Sequence, residues 1–270
     1  MNLLTTEYRN PSHYFRRRTF FILIFLFLIV NATVLSVWHT GFKTETAITS
    51  IPRVVVWIFS NMFPDARALS RLPNILEKLV DTIFMSIMAT TTAALLSLPF
   101  AIMGSRSTQI NGFFSVISRG IASISRNIPV AAWAMIFLIT FGMSSFTGYL
   151  ALFFSTFGFL TRAFMETIDE CSNNQVEALR ASGATYSHVI AQAVIPASVS
   201  QMTSWILYMV ETNIRDATLV GLLTGSGIGF LFDLYYKTMQ YKSASLVVII
   251  LVVIVLLIEF ISNTVRRKIL

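Results

Sequence analysis

The chain has 270 residues, 55% of them hydrophobic and 12% charged, with a mean hydropathy of +0.70. Soluble domains carry about 25% charged residues, so this composition excludes an ordinary water-soluble globule and points to a membrane protein. The net charge of +7 does not signify nucleic acid, because the basic residues form short runs beside apolar segments; the single cysteine, Cys171, excludes an intramolecular disulfide, and His13, His39 and His188 show no ligand spacing.

A helix that crosses a bilayer needs about 20 predominantly apolar residues. The first such stretch, 20–38, follows Arg16, Arg17 and Arg18. It is too long for the apolar part of a signal peptide and no small-residue cleavage site follows, so it reads as an uncleaved anchor. In the outer segment 39–78, Ile51, Val54, Val55, Ile58, Phe59 and Met62 recur at helical spacing before Pro64. They predict an amphipathic helix that either lies in the outer interface or packs on the bundle. Further spans are expected at 79–103, at 128–141 with an N-terminal extension, and at 149–164, 198–223 and 244–261.

Six spans return the chain to its starting side. Both ends are basic, with Arg9 and Arg16 to Arg18 at one and Arg266, Arg267 and Lys268 at the other, which places both termini in the cytoplasm. The same orientation puts Arg106, Arg119, Arg126, Arg162 and Arg180 on the inner side. The expected fold is all-α: an N-terminal tail, anchor helix and outer segment over 1–78, and a five-helix core over 79–270 with a cytoplasmic loop at about 165–197.

That loop reads Asn174-Gln175-Val176-Glu177-Ala178-Leu179-Arg180-Ala181-Ser182-Gly183-Ala184 and closes at Val194-Ile195-Pro196. Gln175 to Ser182 is a run of good helix formers that predicts a short helix. Gly183 stops it, and a second short helix leads to Pro196 at the opening of the fifth span. A polar helix–glycine–helix loop, too short to be a domain, suits docking into a groove on a partner.

The order Glu-Ala, then Gly six residues after the Glu, then an aliphatic residue and Pro at nineteen resembles the EAA loop of ABC importer permeases. The resemblance implies that Glu177, Ala178, Leu179, Arg180, Gly183, Ile195 and Pro196 form a coupling surface seated in a cleft of a cytoplasmic ATPase. Leu179 stands where a second Ala is usual and Ala193 where an isoleucine is common, and Leu179 is positioned to tune which ATPase binds. ATP and Mg would then be bound by an ATPase dimer, and this chain would hold no cofactor of its own.

Ser125-Arg126-Asn127-Ile128-Pro129, followed by Trp133, resembles the Arg-x-Ile-Pro entry to a core span in the same permeases. Glu211-Thr212-Asn213-Ile214-Arg215-Asp216-Ala217-Thr218, running on to Gly225-Ser226-Gly227-Ile228-Gly229-Phe230, resembles the phosphonate-type branch. That implies import of phosphonates or related phosphorus oxyanions delivered by an extracytoplasmic binding protein. It also implies two permease copies around a shared route in a bacterial inner membrane. The acidic Asp216 departs from the branch pattern and weakens the local positive field.

At 100° per residue, Ser204, Tyr208, Glu211, Arg215 and Thr218 fall on one stripe of the fifth span. Ionisable groups at such depth face a cavity or a partner, and Glu211 and Arg215 can pair at i,i+4. Arg215 is expected to face the pathway and offer paired donors to an oxyanion, held by Glu211, with Tyr208, Asn213 and Thr218 beside it. The other reading is that the pair only locks two helices together. A second stripe, Thr82, Ser86, Thr90, Ala93 and Ser97, either lines the pathway or serves close packing between helices.

Gly225 to Gly229 lacks the spacing of a nucleotide fingerprint and the chain has no P-loop, so these glycines predict a tight turn at the outer end of span five. No nucleophile–base pair or carboxylate dyad has a coherent setting, and no enzyme is expected. The rivals are an importer for phosphate, phosphite or an amino acid, and an ion-gradient-driven secondary transporter. The latter often carries inverted repeats, which this sequence does not show.

Overall fold

The computed structural model describes residues 11–269, and every regular element among them is helical. Arg9 lies outside the described residues, as do the side chains of His13 and Arg17. The chain divides after Ser60. In the first part, α1 (Pro11–Thr40) carries exposed Phe, Leu and Ile over its whole circumference, as an anchor surrounded by lipid requires. α2 (Thr44–Asn61) starts earlier than the apolar periodicity suggests and continues through Pro52. It ends before Met62, the last residue of the expected stripe.

The second part begins with one turn, α3 (Ala66–Leu69), capped by the Asp65 carboxylate, which accepts from the Ala68 amide at 2.8 Å. That amide holds the Asp65 carboxyl below the ordinary value. Four long helices follow: α4 (Leu72–Gly104), α7 (Ser145–Ala181), α9 (Ile195–Thr224) and α11 (Tyr241–Ile269). They contain the expected spans two, four, five and six, and each runs past the predicted ends.

The third expected span is two helices. α5 (Gly112–Asn127) and α6 (Val130–Phe141) meet at 93°. Ile128 is extended, as the residue before a proline must be, and Pro129 then opens α6 without an amide hydrogen to continue the previous helix. α6 alone is about 18 Å long at 1.5 Å per residue, short of a bilayer core. Five helices among the described residues are long and apolar enough to cross, and the bent pair makes a sixth if it counts as one span.

The expected separate helix over Gln175 to Ser182 does not exist; those residues are the last two turns of α7. The apolar signal ends near Phe164, but Arg162, Glu166, Asp169 and Glu170 are compatible with continued helix, and neither Pro nor Gly interrupts before Gly183. Beyond it come α8 (Tyr186–Val189), a wide π turn (Ile190–Val194) and α9, without a break. The segment between the fifth and sixth expected spans contains α10 (Gly227–Lys237), which packs on α9; the turn expected over Gly225 to Gly229 is confined to its start, at left-handed Gly225 and Ser226.

The packing is made by small residues. Ala89, Ala93, Ala101, Ala134, Ala151 and Ala217 are fully buried between helices, as close approach inside a membrane favours. Larger side chains fill the α7 side, where Phe157, Leu160, Phe164, Met165 and Ile168 meet Val176, Val189, Val194 and Met202. A second cluster, Ile75, Leu79, Ile228, Leu231, Tyr235 and Val247, binds α10 to α4 and α11.

Candidate functional site

The end of α7 is built to present one face outward. Val176 is buried and Leu179 packs against the same cluster, while Glu177, Ala178 and Arg180 stay exposed. Leu179 is half-buried, so part of its side chain packs inward and part remains on the surface expected to meet a partner. The helix closes with Gly183 at φ +82°, its amide donating to the Arg180 carbonyl at 3.0 Å and the Ala184 amide to the Leu179 carbonyl at 3.0 Å. That is the two-bond closure that a left-handed glycine permits, with Leu179 and Ala184 on its apolar side. Ile195 and Pro196 are exposed at the start of α9, beyond the π turn.

Two contacts that the sequence reading missed stiffen this surface. The Asp169 carboxylate accepts from Ser105 Oγ at 2.6 Å, from Ser107 N at 3.0 Å and from Arg106 N at 3.2 Å, clamping the α4–α5 loop to α7. Tyr186 donates its hydroxyl to the Thr108 carbonyl at 3.0 Å, tying the segment after Gly183 to the same loop. The only available signal was a cluster of serines facing an acidic pair, which is not distinctive.

The α9 residues expected at the pathway separate into two groups. Asn213 is 1% exposed and is bonded between three helices. Its Nδ2 donates to Thr90 Oγ1 at 2.8 Å and Thr156 Oγ1 at 2.7 Å, its Oδ1 accepts from Thr156 Oγ1 at 3.1 Å, and its carbonyl accepts from Ser86 Oγ at 3.2 Å. Ser86, Thr90 and Asn213, expected beside the pathway, are therefore enclosed ties among α4, α7 and α9, and the close-packing reading of the α4 stripe fits them. Asn213→Ala leaves the Thr90 and Thr156 hydroxyls without this partner. It is expected to lower stability by about 1–3 kcal/mol, read as a drop in the thermal midpoint of the detergent-solubilised chain.

Tyr208, Glu211, Arg215 and Thr218 form the other group. Glu211 is 8% exposed and accepts from Arg215 Nη2 at 2.8 Å, the expected i,i+4 pair; Arg215 itself is 46% exposed. The other Glu211 oxygen receives Arg266 Nη2 at 3.3 Å, from the last turns of α11. Arg266, expected among the basic residues at the C-terminal end, lies within α11 and reaches across to α9, donating also to Ser262 Oγ at 2.9 Å and standing 5.9 Å from the Tyr208 ring centroid. Its i,i+4 relation to Ser262 was visible in the sequence, but its meeting with Glu211 depends on the crossing of α9 and α11. Among the described residues, the buried Thr218 hydroxyl has no hydrogen-bond partner, and neither has the Arg266 Nε.

Among the described residues no group of three or more His, Cys, Asp or Glu could hold a metal ion. The geometry is that of a bundle of long apolar helices with an exposed polar tip at the end of α7 and an arginine-bearing face on α9.

Residues 97–269, more than half of the chain, match the model of the "binding-protein-dependent transport system inner membrane component" family. The chain belongs to this family. It is a permease subunit of an ABC importer, a transport component rather than an enzyme. Among curated relatives, the phosphite transport system permease protein PtxC of Stutzerimonas stutzeri is 27% identical over 89% of this chain and 86% of its own length. The phosphate-import permease protein PhnE of Mycolicibacterium smegmatis is 27% identical over 88% of this chain and 44% of its own. Among solved structures, an amino acid ABC transporter aligns over 74% of this chain and 96% of its own, with a TM-score of 0.64 at 17% identity. A MetNI methionine ABC transporter aligns over 73% and 96%, with a TM-score of 0.63 at 20% identity. These two likenesses concern the fold of the permease.

Proposed function

We propose that this chain conducts a phosphorus oxyanion, phosphonate or a close relative, through the bacterial cytoplasmic membrane. The observation that carries the proposal is the half-exposed Arg215 guanidinium on a membrane helix, held by Glu211. A cation there is expensive unless an anion comes to it, and a guanidinium matches a phosphorus oxyanion in charge and in paired donors. Relatives named for phosphite and phosphate transport agree with this chemistry.

In this reading α5 and α6 together form a third crossing beside the five long apolar helices, six spans leave both termini in the cytoplasm, and residues 79–270 are the permease core behind a 1–78 anchor region; the 93° pairing of α5 and α6 supports counting them as one span. One chain carries one coupling tip, so a dimer of ATPases calls for two copies of the chain or for a close relative as the second. ATP and Mg are bound by those ATPases, whose closure moves the Glu177–Gly183 tip and turns the route toward a loaded extracytoplasmic binding protein. Glu177, Ala178 and Arg180 provide the outward face of the tip, and Ile195 and Pro196 flank it.

The test is ATP hydrolysis by the reconstituted permease–ATPase complex with its binding protein, across methylphosphonate, phosphite, phosphate and methionine. Stimulation by the phosphorus oxyanions is expected. Arg215→Gln removes a charge-assisted interaction of about 1.5–3 kcal/mol, so oxyanion uptake should fall by roughly ten- to a hundredfold. Stimulation by methionine alone, or an Arg215→Gln complex that keeps full oxyanion uptake, overturns the substrate assignment.

A further inference from the structure

We infer that Arg266 is the second guanidinium of the anion site, and that Glu211 is a counter-ion occupying the place a phosphorus oxyanion takes during passage. The inference rests on the substrate reading above and adds a residue and a mode of binding to it. Each oxygen of the Glu211 carboxylate engages a different arginine, Oε1 with Arg215 at 2.8 Å and Oε2 with Arg266 at 3.3 Å. Two guanidiniums, one from α9 and one from α11, thus already converge on a single oxyanion. A tetrahedral phosphorus oxyanion presents pairs of oxygens in the same manner, so it meets donors that are in place before it arrives.

The charge count points the same way. Glu211 supplies one negative charge to two arginines, so the hydrogen-bonded cluster keeps one positive charge, which Asp216 offsets only from outside it through its field on Arg215, although Glu211 is 8% exposed and the Arg266 side chain 23%. Charge left uncompensated in poorly hydrated surroundings is unfavourable, and a dianion compensates it better than the monovalent carboxylate does. Asp216 lies about 100° further round α9 and, among the described residues, interacts with Arg215 through its charge without an ion pair or hydrogen bond to either arginine. Arg266 also has a donor to spare: its buried Nε has no partner among the described residues. Tyr208, itself exposed, borders the cluster with its ring under the Arg266 guanidinium.

A lock between helices would need only one arginine for one carboxylate. The distinction is in the sign of the effect at Glu211. If the carboxylate is a counter-ion that an oxyanion replaces, then Glu211→Gln removes a competitor and anion binding tightens. If the cluster is only a lock, Glu211→Gln loosens the site and binding weakens or does not change.

The experiment is equilibrium binding of methylphosphonate, phosphite and inorganic phosphate to the detergent-solubilised permease–ATPase complex without binding protein, with thermal midpoints measured in parallel. Arg266→Gln is expected to weaken oxyanion binding at least tenfold, Arg266→Lys to restore part of it, and Glu211→Gln to tighten it. Arg267→Gln, the exposed neighbour, should leave it unchanged. Equal binding by wild type and Arg266→Gln, or weaker binding by Glu211→Gln, overturns the inference, as does a loss in Arg266→Gln that only parallels a lower thermal midpoint and is not restored by lysine. Absence of binding to wild type while the same anions stimulate ATP hydrolysis with the binding protein also overturns it and leaves the substrate reading standing. Absence of both removes the substrate reading itself.

Discussion

Glu177→Lys is expected to leave ATP hydrolysis measurable in the assembled complex and to reduce transport at least tenfold. Glu177 is exposed on the last turns of α7 and makes no ion pair among the described residues, so its replacement disturbs no internal contact. What changes is the face offered to the ATPase. A negative charge three residues before Arg180 becomes positive, and two like charges then sit on one side of a helix tip. A reversed charge at an interface is repelled rather than merely unbound.

The size of the effect follows from what the tip is attached to. α7 is one helix of 37 residues, about 55 Å at 1.5 Å per residue. It runs from the Ser144 cap at one end to the tip at the other, and Asp169 and Tyr186 brace the neighbouring loop near that tip. A displacement of the tip is therefore carried into the bundle instead of being absorbed at a hinge. Full coupling in the Glu177→Lys complex, read as transport per ATP hydrolysed, would exclude this tip as the coupling element.

Most of the helix content was legible because membrane helices are long and uniformly apolar, and α4, α9 and α11 stand over the expected spans. The 93° break at Pro129 was legible in part, since proline marks a discontinuity but not an angle. The continuity of α7 was not, because hydropathy falls at Arg162 to Glu170 while helix propensity does not. The helix stop at Gly183 could be read from the sequence, whereas the partial packing of Leu179 depends on which side of α7 meets the core. The arginine cluster shows the same limit. Glu211 and Arg215 pair locally and were foreseen, but Arg266 lies 55 residues away in sequence and reaches Glu211 only through the crossing of two helices. A stripe on a helical wheel groups Tyr208, Glu211 and Arg215 without saying that Asn213, two positions on from Glu211, points into the core.

Gly158→Val is expected to abolish correct assembly of the α5–α6 region, with a sharp loss of folded yield and of transport, whereas Gly120→Val is tolerated. A side-chain carbon built on Gly158 of α7 runs into the backbone of α5, at the Arg126 amide nitrogen and at the Ser125 carbonyl carbon, the latter at 2.7 Å. A flexible side chain could move aside; a helix backbone cannot, so α5 itself must shift. Overpacking of this kind costs about 1–3 kcal/mol and more where main chain is displaced. Here the displaced residues also hold the bend: the Ser125 carbonyl accepts from Trp133 Nε1 at 3.2 Å, and Ile128 and Pro129 set the angle to α6. Trp133 in turn stacks on Phe137 and Phe154, so the disturbance passes from α5 through α6 and back to α7. Gly120, on the same α5, has nothing within 4 Å of the corresponding position. Valine there exchanges a poor helix former for a somewhat better one, and the thermal midpoint should stay level or rise slightly. Comparing the two variants by size-exclusion profile and thermal midpoint in detergent isolates close approach from the generic effect of valine in a membrane helix. Equal midpoints for Gly158→Val and Gly120→Val would mean that α5 and α7 do not meet as closely as the structure places them.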